Sequence, residues 1–157
     1  LRKVIFIVMV FILSLVGCSE ETDSKELVKY NKERVINSLN DASFTPEIPT
    51  KLPFGPTEVR VNVEDIGGME NSFIKVSFIS ENQKEVTFHA TKSQNALDFT
   101  DEHVKIQEDL EGKYGEKEKV KILKWNKDDI YYELFVDSDS TSKEEVLNIA
   151  DNFNQVN

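Results

Sequence analysis

Cysteine occurs once in the 157 residues, at Cys18, and histidine twice, at His89 and His103. The lone thiol excludes an intramolecular disulfide and any zinc site built on paired thiolates. Neither histidine stands in an HxH or HExxH spacing, so ligand roles have no support, and both are expected as solvated surface residues. There is no G-x-S-x-G elbow and no glycine-rich phosphate loop, and no residue is assigned a catalytic or metal-binding role. No cofactor is expected. Positive charge is also scarce: 19 Lys+Arg stand against 29 Asp+Glu, for a formal net charge of -10. Nucleic-acid binding draws its affinity from basic clusters that displace counterions, and with none visible nucleic acid is excluded as a partner. No apolar run reaches the roughly 20 residues that a bilayer-spanning helix requires.

Against these absences, a composition of 39% hydrophobic and 31% charged residues is that of a globular chain, and the length suits one domain with a short appendage. The appendage is at the start. Arg2 and Lys3 precede an apolar run from Val4 to Leu13, followed by Ser14, Leu15, Val16, Gly17 and Cys18. A basic n-region, a short apolar h-region and a small residue before the cut are the marks of a signal peptide. Leu15, Val16, Gly17 and Cys18 resemble the bacterial lipobox. The resemblance implies cleavage between Gly17 and Cys18 and a thioether-linked diacylglycerol on Cys18, which suits a residue whose thiolate is readily alkylated. Two acyl chains make a stable anchor, at about 0.8 kcal/mol per buried methylene. The expected boundaries are residues 1–17 for the leader, 18–24 for a lipidated acidic tether and 25–157 for a single α+β domain.

Within that domain, Leu27, Val28, Val35, Ile36 and Leu39 fall near helical spacing and predict one amphipathic helix from Lys25 to Leu39, with Ser24 as its N-cap. All four prolines then cluster at Pro46, Pro49, Pro53 and Pro56. The stretch reads as an extended strap whose Phe44, Ile48, Leu52 and Phe54 plug a surface; the alternative, a proline-rich ligand, lacks a repeated PxxP register with basic flanks. Beyond it the period is two: Val59, Val61 and Val63, then Ile74, Val76 and Phe78, then Val86, Phe88 and Ala90, predict an antiparallel meander. Ala90 to Thr100 reads as a loop and His103 to Leu110 as a further strand or irregular edge. Glu111 to Lys119, with two glycines and many charges, reads as a turn. Val120–Trp125 and Ile130–Val136 predict paired strands, with Ile130, Tyr132, Leu134 and Val136 inward and Tyr131, Glu133 and Phe135 outward. A helix carrying Val146, Leu147, Ile149, Ala150 and Phe153 follows a capping box at Thr141 or Ser142. The expected architecture is α+β: a single antiparallel β-sheet with an N-terminal and a C-terminal helix.

Two candidate sites remain. Asp137 and Asp139 stand at alternate positions, as at the start of a calcium loop, but the required glycine and closing glutamate are missing and helix capping accounts for the acids. Trp125, Tyr131 and Phe135 are the candidate contact surface, with plain core packing as the alternative.

The strap Pro49–Pro53, the Trp125 strand, Tyr132 and Leu134, and the closing helix with Ser142, Glu144, Ile149 and Ala150 together resemble a domain of unknown function. That domain is found in Gram-positive lipoproteins and at the C-terminus of some anti-sigma-factor and lipoprotein-sorting-like proteins. Lys127, Asp128 and Asp129 stand where that pattern has a glycine. The resemblance carries no catalytic residues and implies an extracytoplasmic sensory or binding module. The resulting expectation is a cell-membrane lipoprotein on the extracytoplasmic face, anchored through Cys18 and non-enzymatic, that binds an envelope protein or lipid. A lipid or small-ligand carrier and an envelope hydrolase are the alternatives.

Overall fold

The computed structural model describes residues 26–93 and 100–155; the leader, Gly17 and Cys18 lie outside them. The largest sheet is a seven-stranded antiparallel one made of two meanders. The first joins β4 (Glu58–Ile66), β5 (Met69–Ile79) and β6 (Glu85–Thr91), and the second β7 (Glu102–Gln107), β8 (Leu110–Lys117), β9 (Val120–Lys127) and β10 (Ile130–Asp137). The spatial order β4-β5-β6-β10-β9-β8-β7 shows that the last strand of the second meander docks beside the last strand of the first. Because the strands alternate, one face collects Ile74, Val76, Phe78, Val86, Phe88, Leu123, Tyr132 and Leu134, each 1% exposed or less.

Short elements cover that face. β1 (Val28–Lys29) pairs with β3 (Lys51–Leu52), and β2 (Ile48–Pro49) pairs with β11 (Phe153–Asn154), so the strap is stitched both to the segment before it and to the strand that follows α2. Two helices complete the cover: α1 (Glu33–Ser38) and α2 (Lys143–Asp151). Phe153 fixes the closure, its ring lying 5.3 Å from Phe88, 5.0 Å from Trp125 and 5.9 Å from Tyr132. Tyr132 also accepts a hydrogen bond from the Glu47 backbone N–H at 2.9 Å, and Tyr30 donates one to the Pro49 carbonyl at 2.8 Å. Proline strands cannot make a full ladder, so these side-chain bonds satisfy groups the strap would otherwise leave open.

The architecture corrects the expected α+β fold with a single sheet. The described residues are mostly β, with three sheets and two short helices among them. The predicted helix from Lys25 to Leu39 shrinks to Glu33–Ser38, because Val28 and Lys29 pair with the strap as β1. The start is fixed locally as well: Lys32 makes no side-chain cap, but Asn31 Oδ1 accepts from the Glu33 N–H at 2.9 Å, so the helix begins there. The Glu111–Lys119 segment, expected as a turn, forms most of β8. The second meander has two-residue connections at ten-residue intervals, closed by Gln107 and Leu110, Lys117 and Val120, and Lys127 and Ile130. Glycine in β8 serves a strand contact: a Cβ on Gly112 would stand 2.7 Å from the Lys124 carbonyl oxygen and 2.9 Å from Ile106 Cδ1.

α2 begins as expected, with Ser142 Oγ accepting from the Glu145 N–H and Glu145 Oε2 accepting from the Ser142 N–H, a complete capping box. It ends at Asp151, so Phe153 belongs to β11 and not to the helix stripe. No helix among the described residues is long and apolar enough to cross a membrane.

Candidate functional site

The second face of the large sheet carries polar and aromatic residues at the positions that alternate with the core. Strand register lines up one row across six strands: Lys75 on β5, His89 on β6, Glu133 on β10, Lys124 on β9, Lys113 on β8 and His103 on β7. Glu133 is the only carboxylate in that row. It holds the centre, with Oε2 3.2 Å from His89 Nδ1 and Oε1 3.1 Å from Lys124 Nζ. Although it lies on the outer face, Glu133 is only 7% exposed. Burial alone would raise its pKa; the hydrogen bonds from His89 and Lys124, with the lysine's charge, outweigh that and hold the carboxyl below the usual carboxylate range. An ionised carboxylate only accepts, so Nδ1 of His89 carries the proton in this bond.

Aromatic rings flank this pair. The His89 ring sits 5.1 Å from Phe73 and 4.7 Å from Phe135, packed between side chains from the strands on either side. Along β6, Thr87 donates to Glu85 Oε1 at 2.6 Å, so the 2.6 Å contact between Ser77 and Thr87 has Ser77 as donor. That chain of hydroxyls holds the Glu85 carboxyl below its ordinary value, the bond from Thr87 being the largest cause. Two shallow recesses open on the same face. One, of about 330 Å³, is bordered by Thr91, His103, Lys113, Lys124, Tyr131 and Glu133. The other, of about 500 Å³, is bordered by Lys75, Thr87, His89, Val120, Phe135 and Asp137.

The residues singled out from sequence divide between the faces. Tyr131 and Phe135 are half-buried on the outer face, and neither belongs to the core cluster. Trp125 does not join them: it is 5% exposed on the core face, stacked on Tyr132 with ring centroids 5.1 Å apart, because its position in β9 has the opposite parity. His89, expected as a solvated residue, is half-buried and bonded to Glu133. His103 is exposed, and four strand spacings, about 19 Å, separate it from His89. The two therefore cannot share a ligand. Among the described residues no group of three or more His, Cys, Asp and Glu is placed to hold a metal. Asp137 Oδ1 accepts from the Asp139 N–H at 3.0 Å, and Asp139 pairs with Lys119 at 3.1 Å, so these acids cap a single 3-10 turn, Ser138–Ser140, and stay out of any calcium loop.

Sequence reasoning missed the His89–Glu133–Lys124 unit. The Lys124–Glu133 half had a signal. Asp128 and Asp129, both at positive φ, are a two-residue hairpin turn, and that turn alone sets Lys124 opposite Glu133. The His89 half depends on β6 meeting β10, which no local pattern announces.

No curated protein and no solved structure matches the chain. A family model does match, over residues 49–153, from Pro49 of the strap to Phe153 of the strand that pairs with it. The matched region takes in all seven strands of the large sheet and α2, and the chain belongs to the family described as Domain of unknown function (DUF4367).

Proposed function

We propose that the protein is a membrane-anchored extracytoplasmic lipoprotein whose domain is a non-enzymatic interaction module of the cell envelope. It is held by diacylglycerol on Cys18 and contacts an envelope protein through the outer sheet face around Tyr131 and Phe135. The observation that carries the interaction half is the segregation of Phe73, Tyr131 and Phe135 from the core cluster: they surround a neutralised ion pair on a face the helices and strap leave to the surface. The anchor half is supported by the leader ending Leu15-Val16-Gly17-Cys18. A lipid or small-ligand carrier is the second reading, favoured by the two recesses on the same face. An envelope hydrolase has against it that His89 bonds to Glu133 and to no hydroxyl or thiol among the described residues.

In-cell crosslinking of the full chain, followed by mass spectrometry of captured proteins and lipids, tests this. A reproducible protein partner that is lost with Phe135→Glu supports the module. Lipid captured without a protein replaces it with the carrier. Cys18→Ala should release the chain from the membrane fraction with its fold intact; retention of that variant overturns the anchor.

A further inference from the structure

β4 ends the seven-stranded sheet, and among the described residues no strand pairs with its outer side. Such an edge offers a row of unmet backbone donors and acceptors to another chain. Its side chains are self-complementary in one register. A twofold axis perpendicular to the sheet keeps inner residues opposite inner ones, so only same-face pairs arise when β4 meets a second β4. Centred on Val61, the pairing sets Glu58 against Glu64 of the second copy, like charge against like. Centred on Asn62, it sets Arg60 against Glu64 of the second copy on the outer face and Val61 against Val63 on the inner face, each twice by symmetry.

A separate observation agrees. Val59 is 8% exposed, whereas Val61 and Val63 on the same face are only half-buried, so the core thins out where that register would cover it. The ladder then has a natural end, because a bulge between Glu64 and Ile66 turns the edge away. Arg60 currently pairs with Glu58 at 2.7 Å, but both side chains are largely exposed, so turning the guanidinium to a new carboxylate sacrifices little.

We propose that the protein associates with a second copy of itself by antiparallel pairing of β4 from Arg60 to Glu64 about Asn62, joining two large sheets into one. This surface is distinct from the Tyr131–Phe135 face, and the proposal stands or falls independently of it.

Cysteine scanning of the full chain, oxidised in the cells that express it and resolved on non-reducing gels, tests the register. Asn62→Cys should yield a disulfide-linked dimer absent from the wild type, whose only cysteine is Cys18. Arg60→Cys alone should yield none, yet co-expression with Glu64→Cys should give a mixed dimer. Arg60→Glu added to Asn62→Cys should lower the crosslinked fraction roughly tenfold, and a further Glu64→Arg should restore it. A folded Asn62→Cys chain that stays monomeric overturns the proposal, as does crosslinking of Arg60→Cys as strong as that of Asn62→Cys.

Discussion

Glu133 illustrates how a charge survives on a half-covered sheet face. Its two oxygens are taken by His89 and Lys124, and a glutamine would put an acceptor at only one of these places, a donor at the other, and no charge opposite the lysine. Glu133→Gln should therefore cost about 1–3 kcal/mol at neutral pH, read as a shift in the urea midpoint. The same carboxyl titrates below its ordinary value, so its contribution is complete above roughly pH 4.3 and is lost as pH falls through the depressed pKa. The stability gap between wild type and variant should accordingly narrow on acidification. A gap as wide at pH 3 as at pH 7 would show that the ion pairs are not what Glu133 supplies. Tyr132 has the opposite sign. Burial pushes its phenol up to about 12, with the Glu47 N–H acting the other way, so its share of stability is full below about pH 10 and is lost as pH rises through about 12.

At the scale of elements, β8 is the instructive strand. Gly112 lies opposite Trp125 in the ladder and is tight against Ile106 and the Lys124 carbonyl. Gly112→Ala should destabilise by about 1–3 kcal/mol, as overpacking does, while Gly55→Ala, with nothing within 4 Å of the added carbon, should be close to neutral. Thermal melts of the two variants side by side would separate packing from any general effect of replacing glycine. β8 also shows where sequence reasoning stops. Val59 to Ala90 was legible because its buried positions alternate with polar ones, and α2 because Ser142 and Glu145 announce its start. β8 has glycine at one inward position and Tyr114 at the next, so its alternation is nearly silent and its glycines read as a turn. The N-terminal helix failed for another reason: the pairing of Val28 with Leu52 competes for residues that have adequate helical spacing, and only the tertiary partner decides. On the outer face, parity placed Tyr131 and Phe135 together, and the same rule applied to β9 puts Trp125 on the other side.

For the molecule as a whole, the cover over the core depends on the pairing of Ile48 and Pro49 with Phe153 and Asn154. Phe153 is 3% exposed and touches rings from β6, β9 and β10. Phe153→Ala should cost about 3–5 kcal/mol and loosen the strap with it. Trp125, the one tryptophan, lies in contact with that ring, so its fluorescence reports the loss directly. If fluorescence and far-ultraviolet circular dichroism keep a shared midpoint that has moved down, the strap and sheet are one cooperative unit.

The strand order also dictates when the chain can finish folding. The first meander is complete by Thr91, yet β6 has no neighbour on its open side until β10 arrives, with His89 waiting for Glu133. β2 waits longer still, for Phe153. Both closing pairings draw on strands made after the segments they complete, so a chain emerging from a ribosome presents an apolar, unpaired β6 edge until β10 is out. Rapid local hairpins followed by one slow, non-local docking step are the kinetic signature to expect, and chains cut short before β10 should aggregate instead of folding partially.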